Sequence, residues 1–123
     1  MLIDQFIQNY PEPFAVLLHE VRADLLRRYP ALKEELDSPS KIISYSIAPG
    51  MKGVVFTLIP SQKGVKLGIY RGRDLPDPAG LMEGSGRVHA YVKMSHEILP
   101  SPHLQQLMEA AVVAAIQRNS SRN

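Results

Sequence analysis

The chain contains no cysteine. That excludes disulfides, thiolate metal ligation and a cysteine nucleophile, and it fits a reducing compartment. No run of about 18 apolar residues occurs, so no transmembrane helix is expected. The opening residues, Met-Leu-Ile-Asp-Gln-Phe, lack a basic segment. No signal peptide is therefore expected, and the expected location is the cytoplasm. His19, His89, His96 and His103 make no His-x-x-x-His pair, the spacing a helical zinc site needs. Gly-x-Ser-x-Gly is missing too, and nothing in the spacing ties Ser44, Ser46 or Ser85 to a histidine. No catalytic constellation is legible, and the residues favour a non-enzymatic role. Internal repeats and linkers are also lacking.

What the chain does have is enough apolar residue to close one core. Its 123 residues are 45% hydrophobic and 21% charged, which suits one domain over 1–123. The polar end, 119–123, is expected to fray. Net charge is only +2 but it is unevenly spread. Residues 1–40 carry four basic and seven acidic groups, and residues 41–93 carry eight basic and three acidic. A basic middle suits an anionic partner, although helix-to-sheet complementarity inside the molecule explains the same asymmetry.

Hydrophobic spacing predicts a short helix around Ile3–Tyr10 and a longer one from about Pro13 to Tyr29. The long helix carries an apolar stripe of Phe14, Leu17, Leu18, Val21, Leu25 and Leu26. Ala31–Leu36 reads as one further helical turn. Four strands follow, over Lys41–Ala48, Gly53–Ile59, Gly64–Tyr70 and Arg87–Met94. In the last, Val88, Ala90, Val92 and Met94 alternate with Arg87, His89, Tyr91 and Lys93. Connectors this short favour antiparallel hairpins. A final helix is expected from about Ser101 to Arg118, with Ser101 as N-cap and Pro102 at the first position. The fold class is therefore α+β: an antiparallel sheet of about four to five strands with N- and C-terminal helices packed on one face.

Helices on one face leave the other to solvent, and there the alternation places Lys66, Tyr70, His89, Tyr91 and Lys93, with Arg87 beside them. Cations interleaved with aromatics make an anion-binding platform, and the same composition serves any wet sheet face. The Gly-, Pro- and Asp-rich loop before the last strand adds Arg71, Arg73, Gly84 and Gly86, whose backbone N–H groups suit a phosphate or carboxylate. Gly84-Ser85-Gly86 precedes a strand rather than a helix, so it is not a phosphate loop of the nucleotide-binding kind. Asp74-Leu75-Pro76-Asp77-Pro78 reads first as turn chemistry. The expected ligand is a small anion; nucleic acid is a less favoured partner, a membrane is not expected, and unpaired strand edges give a homodimer a physical route. For a hard cation, Glu12, Glu20 and Asp24 lie on or beside one helix, with Arg27 and Arg28 close enough to neutralise them.

The order Gly72…Leu75-Pro76-Asp77-Pro78…Gly80-Leu81-Met82…Gly84-Ser85-Gly86-Arg87 resembles the Gly…Leu…Asp-Pro…Gly-Leu-Leu…Gly-x-Gly-Lys pattern of the YdhG-like domains of unknown function. Phe6-Ile7, Ile43-Ser44-Tyr45 and Leu104–Ala111 extend the likeness along nearly the whole chain. The chain departs from that family at Tyr45-Ser46-Ile47-Ala48-Pro49, at Gly50-Met51 and at Ala90. The resemblance implies a small bacterial α+β protein. Because some relatives are described as frataxin-like iron chaperones, it also implies iron binding or delivery as an alternative role. A protein-interaction module using a sheet edge is the remaining alternative.

Overall fold

A computed structural model describes residues 2–84, 86 and 88–120. Three helices, α1 (Ile3–Ile7), α2 (Glu12–Arg28) and α3 (Pro102–Ser120), accompany six strands. These are β1 (Lys33–Asp37), β2 (Ile42–Ser46), β3 (Val54–Ser61), β4 (Gly64–Tyr70), β5 (Met82–Glu83) and β6 (His89–Lys93). They form one antiparallel sheet in the order β1-β2-β3-β4-β6-β5, so the expected α+β class holds and the sheet is larger than expected.

Alternation divides the sheet into two faces. Ile43, Tyr45, Phe56, Leu58, Leu67, Ile69, Ala90 and Val92 are buried on one, where α2 and α3 pack against the central strands β3 and β4. Leu18, Val21 and Leu25 of α2 and Leu104, Met108 and Ala115 of α3 complete a single apolar cluster. Burying whole aliphatic side chains this way contributes about 1.5–3 kcal/mol each. Ser101 caps α3 as expected, its Oγ accepting from the Leu104 N–H at 3.2 Å. Tyr29, at the C-terminal cap of α2, donates from its hydroxyl to Glu109 of α3 at 3.2 Å and so ties the two helices together. Burial raises the Tyr29 phenol, with help from the Glu109 charge, to a pKa of about 12.

Several local expectations are corrected. Residues 33–37 form an edge strand, not a helical turn. Lys-Glu-Glu-Leu-Asp favours helix locally, but as a strand it sends Glu34 and Leu36 inward and hydrogen-bonds to β2 across a turn at 38–41. Val88 was expected among the inward residues, yet it is 39% exposed, because β6 begins only at His89. The polar end begins inside a helix. Asn119 and Ser120 belong to α3, and Asn119 Nδ2 donates to Lys52 O at 2.8 Å and Ala115 O at 2.7 Å. Residues 121–123 lie outside the described residues.

The loop after β4 is largely built of turns. Gly72–Asp74 forms a 3-10 turn, and β5 pairs with β6. Both Asp77 carboxylate oxygens are used, accepting from Leu81 N at 2.9 Å and Met82 N at 2.8 Å. The Asp-Pro run is therefore turn chemistry, as its composition indicated. Gly72 is needed for close approach: a Cβ there would lie 2.9 Å from Met82 Sδ and 3.1 Å from Ala90 Cβ.

Candidate functional site

Antiparallel pairing of β4 with β6 sets Lys66 opposite Lys93, Gly68 opposite Tyr91 and Tyr70 opposite His89. Lys66 and Tyr70 are four steps apart along the strand, about 13 Å. Lys66, Tyr70, His89, Tyr91 and Lys93 thus share one face, with the two lysines at one end and the Tyr70–His89 pair at the other.

At one end the cations dominate. Lys66 and Lys93 are directly cross-strand, an arrangement that like charges disfavour. The Lys66 ammonium sits 4.2 Å from the centre of the Tyr91 ring, a cation–π contact. Lys93 Nζ is 3.9 Å from Glu83 Oε1, and both side chains are well exposed, so water screens that pair heavily. Just beyond the strand ends lies a cleft of about 440 Å³. Lys63, Lys66 and Lys93 supply its charge, and Phe14, Leu17 and Met94 supply apolar wall. No carboxylate lines it among the described residues. An apolar wall beside three ammonium groups suits an anion that carries a hydrocarbon part.

At the other end, the Tyr70 and His89 rings meet edge to face, 5.8 Å apart. Arg71 does not extend the lysine cluster. It adopts a left-handed backbone conformation (φ 56°) and gives its Nε to Asp74 Oδ2 at 2.8 Å. Arg73 is exposed on the 3-10 turn. Gly84 (φ 95°) lies against the Tyr91 ring, where a Cβ would come within 3.0 Å of a ring carbon. Any side chain there would both strain the backbone and strike the ring. Gly86 is similarly close, to His89 O. Arg87 and Ser85 lie outside the described residues.

The structure brings Glu20 and Asp24 to one cleft, beside His96, Arg27 and Arg28, and leaves Glu12 apart from them. Asp24 is only 9% exposed and is spent on Arg27 at 2.6 Å and Arg28 at 2.9 Å. Glu20 contacts His96 Nδ1 at 2.6 Å, and Glu12 stands in the first turn of α2. Among the described residues no three His, Asp or Glu side chains converge as metal ligands. With one carboxylate held by two guanidinium groups, the donor set does not fit an iron(II) ion.

Sequence reasoning missed Lys63, which sits in the β3–β4 turn where no strand alternation assigns it a face. It also missed Phe14 and Leu17 as cleft walls, since the stripe on α2 marks them simply as core. Comparison of the chain with protein-family models, curated proteins and solved structures finds no match.

Proposed function

We propose that this protein is a non-enzymatic binding domain of the YdhG-like kind, and that it takes up a small anion with an apolar part at the lysine end of the open sheet face. The observation that carries the reading is the cross-strand pair Lys66 and Lys93, joined by Lys63 around a cleft with apolar walls. Like charges on directly cross-strand residues disfavour one another, and the exposed Glu83 is a screened partner for Lys93 alone, so a bound carboxylate or phosphate relieves the repulsion while gaining charge-assisted hydrogen bonds. The 72–86 loop contributes support rather than charge. Gly84 backs the Tyr91 ring, and the ring in turn holds Lys66.

Octanoate is a suitable probe, with a carboxylate for the lysines and a chain for Phe14 and Leu17. Calorimetric titration of the wild type should give a dissociation constant of about 1 mM or tighter. Lys66→Glu with Lys93→Glu should abolish the heat. Equal affinity in the double variant would sink the reading. The edge-pairing alternative is less favoured by the character of β1. That edge strand is short and presents Lys33, Glu35 and Asp37 outward, which discourages strand addition.

A further inference from the structure

A second cleft, of about 830 Å³, opens at the far end of the sheet, between α3 and the 3-10 turn at Gly72–Asp74. Its charged lining is Lys52, Arg71 and Arg118 against the single carboxylate of Asp74. Asp74 already holds Arg71, so the charges of Lys52 and Arg118 have no carboxylate in the cleft.

Arg118 is held in an unusual way. Its guanidinium carbon lies 4.8 Å from the centre of the Tyr70 ring, and Nη2 donates to Val54 O at 3.3 Å. Nε is fully buried and has no acceptor among the described residues. Burial lowers the pKa of this group, and the Arg71 charge adds to the effect. A guanidinium has five N–H donors in a rigid fork, and one of them meets a described protein acceptor here. Arg71, on the opposite wall, is kept in a left-handed conformation that a non-glycine residue adopts at a cost, with its N–H bonded to Val88 O. Two independent compromises, an orphaned donor and a strained backbone, therefore border the same cleft.

We propose that this cleft binds a small organic monophosphate. The phosphate would engage Arg118 and Lys52, and its apolar body would lie along Leu75 and Val113. Val113 is 42% exposed, an apolar side chain left open on the α3 wall of the cleft. The charge decides the class. A phosphomonoester carries about −1.5 to −2 near pH 7, which matches two uncompensated cations. A carboxylate would leave one unmatched. This site is separate from the lysine cleft and stands or falls apart from it.

Phenyl phosphate is the probe, followed by calorimetry and by amide chemical shifts of the whole chain. The expected result is a dissociation constant of about 1 mM or tighter, with shifts at 71–75 and in α3. Arg118→Gln should weaken binding roughly tenfold or more, because a charge-assisted contact is lost. Lys52→Glu, at an exposed position, should weaken it to a similar degree and keeps the test sound if Arg118→Gln fails to fold. Because phenyl phosphate also suits the lysine cleft, the site is read from its own amides: Lys66→Glu with Lys93→Glu, which removes the other cleft's charge, should leave the saturation of the shifts at 71–75 and in α3 unchanged. No binding at about 10 mM, equal affinity in Lys52→Glu, or inorganic phosphate binding as tightly as phenyl phosphate would overturn the proposal.

Discussion

Glu34 shows how much a single side chain organises here. Arg22 of α2 grips its carboxylate in a fork, Nε to Oε2 and Nη2 to Oε1, each at 2.8 Å. Tyr45 of β2 donates its hydroxyl to Oε2 at 2.6 Å. One carboxylate thereby joins a helix to two strands at the sheet's edge. Burial alone pushes the Glu34 carboxyl up, but the hydrogen bonds from Arg22 and Tyr45 and the Arg22 charge outweigh it, and the group ends below its ordinary 4.5. Burial and the same carboxylate raise the Tyr45 phenol far above its usual range. A folded carboxyl with a depressed pKa binds fewer protons than the unfolded one. Its contribution to stability is fully present above about 4.5 and is lost as pH falls through the lower folded value. Glu34→Gln should therefore lower unfolding free energy by about 1–3 kcal/mol near pH 7. It should also flatten the acid side of the stability profile, which denaturant titrations at stepped pH would report. A variant as acid-sensitive as the wild type would mean that Glu34 does not hold this corner. None of this was legible in the sequence, where Glu34 sits among Lys33, Glu35 and Asp37 with nothing to mark it as inward.

Elements were legible to the extent that their own periodicity matched their burial. β4 alternates cleanly, and its expected bounds, Gly64–Tyr70, are the observed ones. The stripe on α2 and the Ser101 cap on α3 are equally local signals, and both hold. β1 failed because helix-favouring residues there answer to pairing with β2, a contact no short window contains. β5 was invisible because two residues carry no period, and its place depends on Asp77 bending the loop back. A similar dependence on distant backbone appears at Gly53, where β3 starts beside the irregular pairing of Ser46 with Val54. A Cβ on Gly53 would fall 1.8 Å from Ala48 O, a backbone atom that cannot swing aside. Gly53→Ala is expected to cost roughly 2–4 kcal/mol, read as a drop in denaturant midpoint with little change in slope. A loss under about 0.5 kcal/mol would show that the turn at 48–53 yields readily. Gly50→Ala, with open space around it but a φ of 82°, should cost less, about 1 kcal/mol.

Across the whole molecule, charge is sorted by structure more than by count. The acidic N-terminal part spends its carboxylates on arginines and a histidine, at Asp4, Glu34, Asp24 and Glu20. Among the described residues the basic middle spends fewer of its charges: Lys63, Lys66 and Lys93 meet at one end of the sheet, and Lys52 stands with Arg71 at the other. The sequence showed the open cationic face but not this division, because strand alternation assigns faces and says nothing of which end a turn lysine or a distant helix joins. Lys63 and Arg118 enter only through the fold. An electrostatic site of this kind should weaken with salt, so octanoate affinity should fall severalfold between about 0.05 and 0.5 M sodium chloride. Affinity indifferent to salt would place the binding energy in apolar contact alone. The most direct test of the central claim is an amide chemical-shift titration of the wild type with octanoate. The account predicts saturable shifts at Lys63, Gly64, Val65, Lys66, Lys93 and Met94, with Glu20 and Asp24 unmoved. A titration that leaves those six amides in place, or that centres its shifts elsewhere on the molecule, would contradict it.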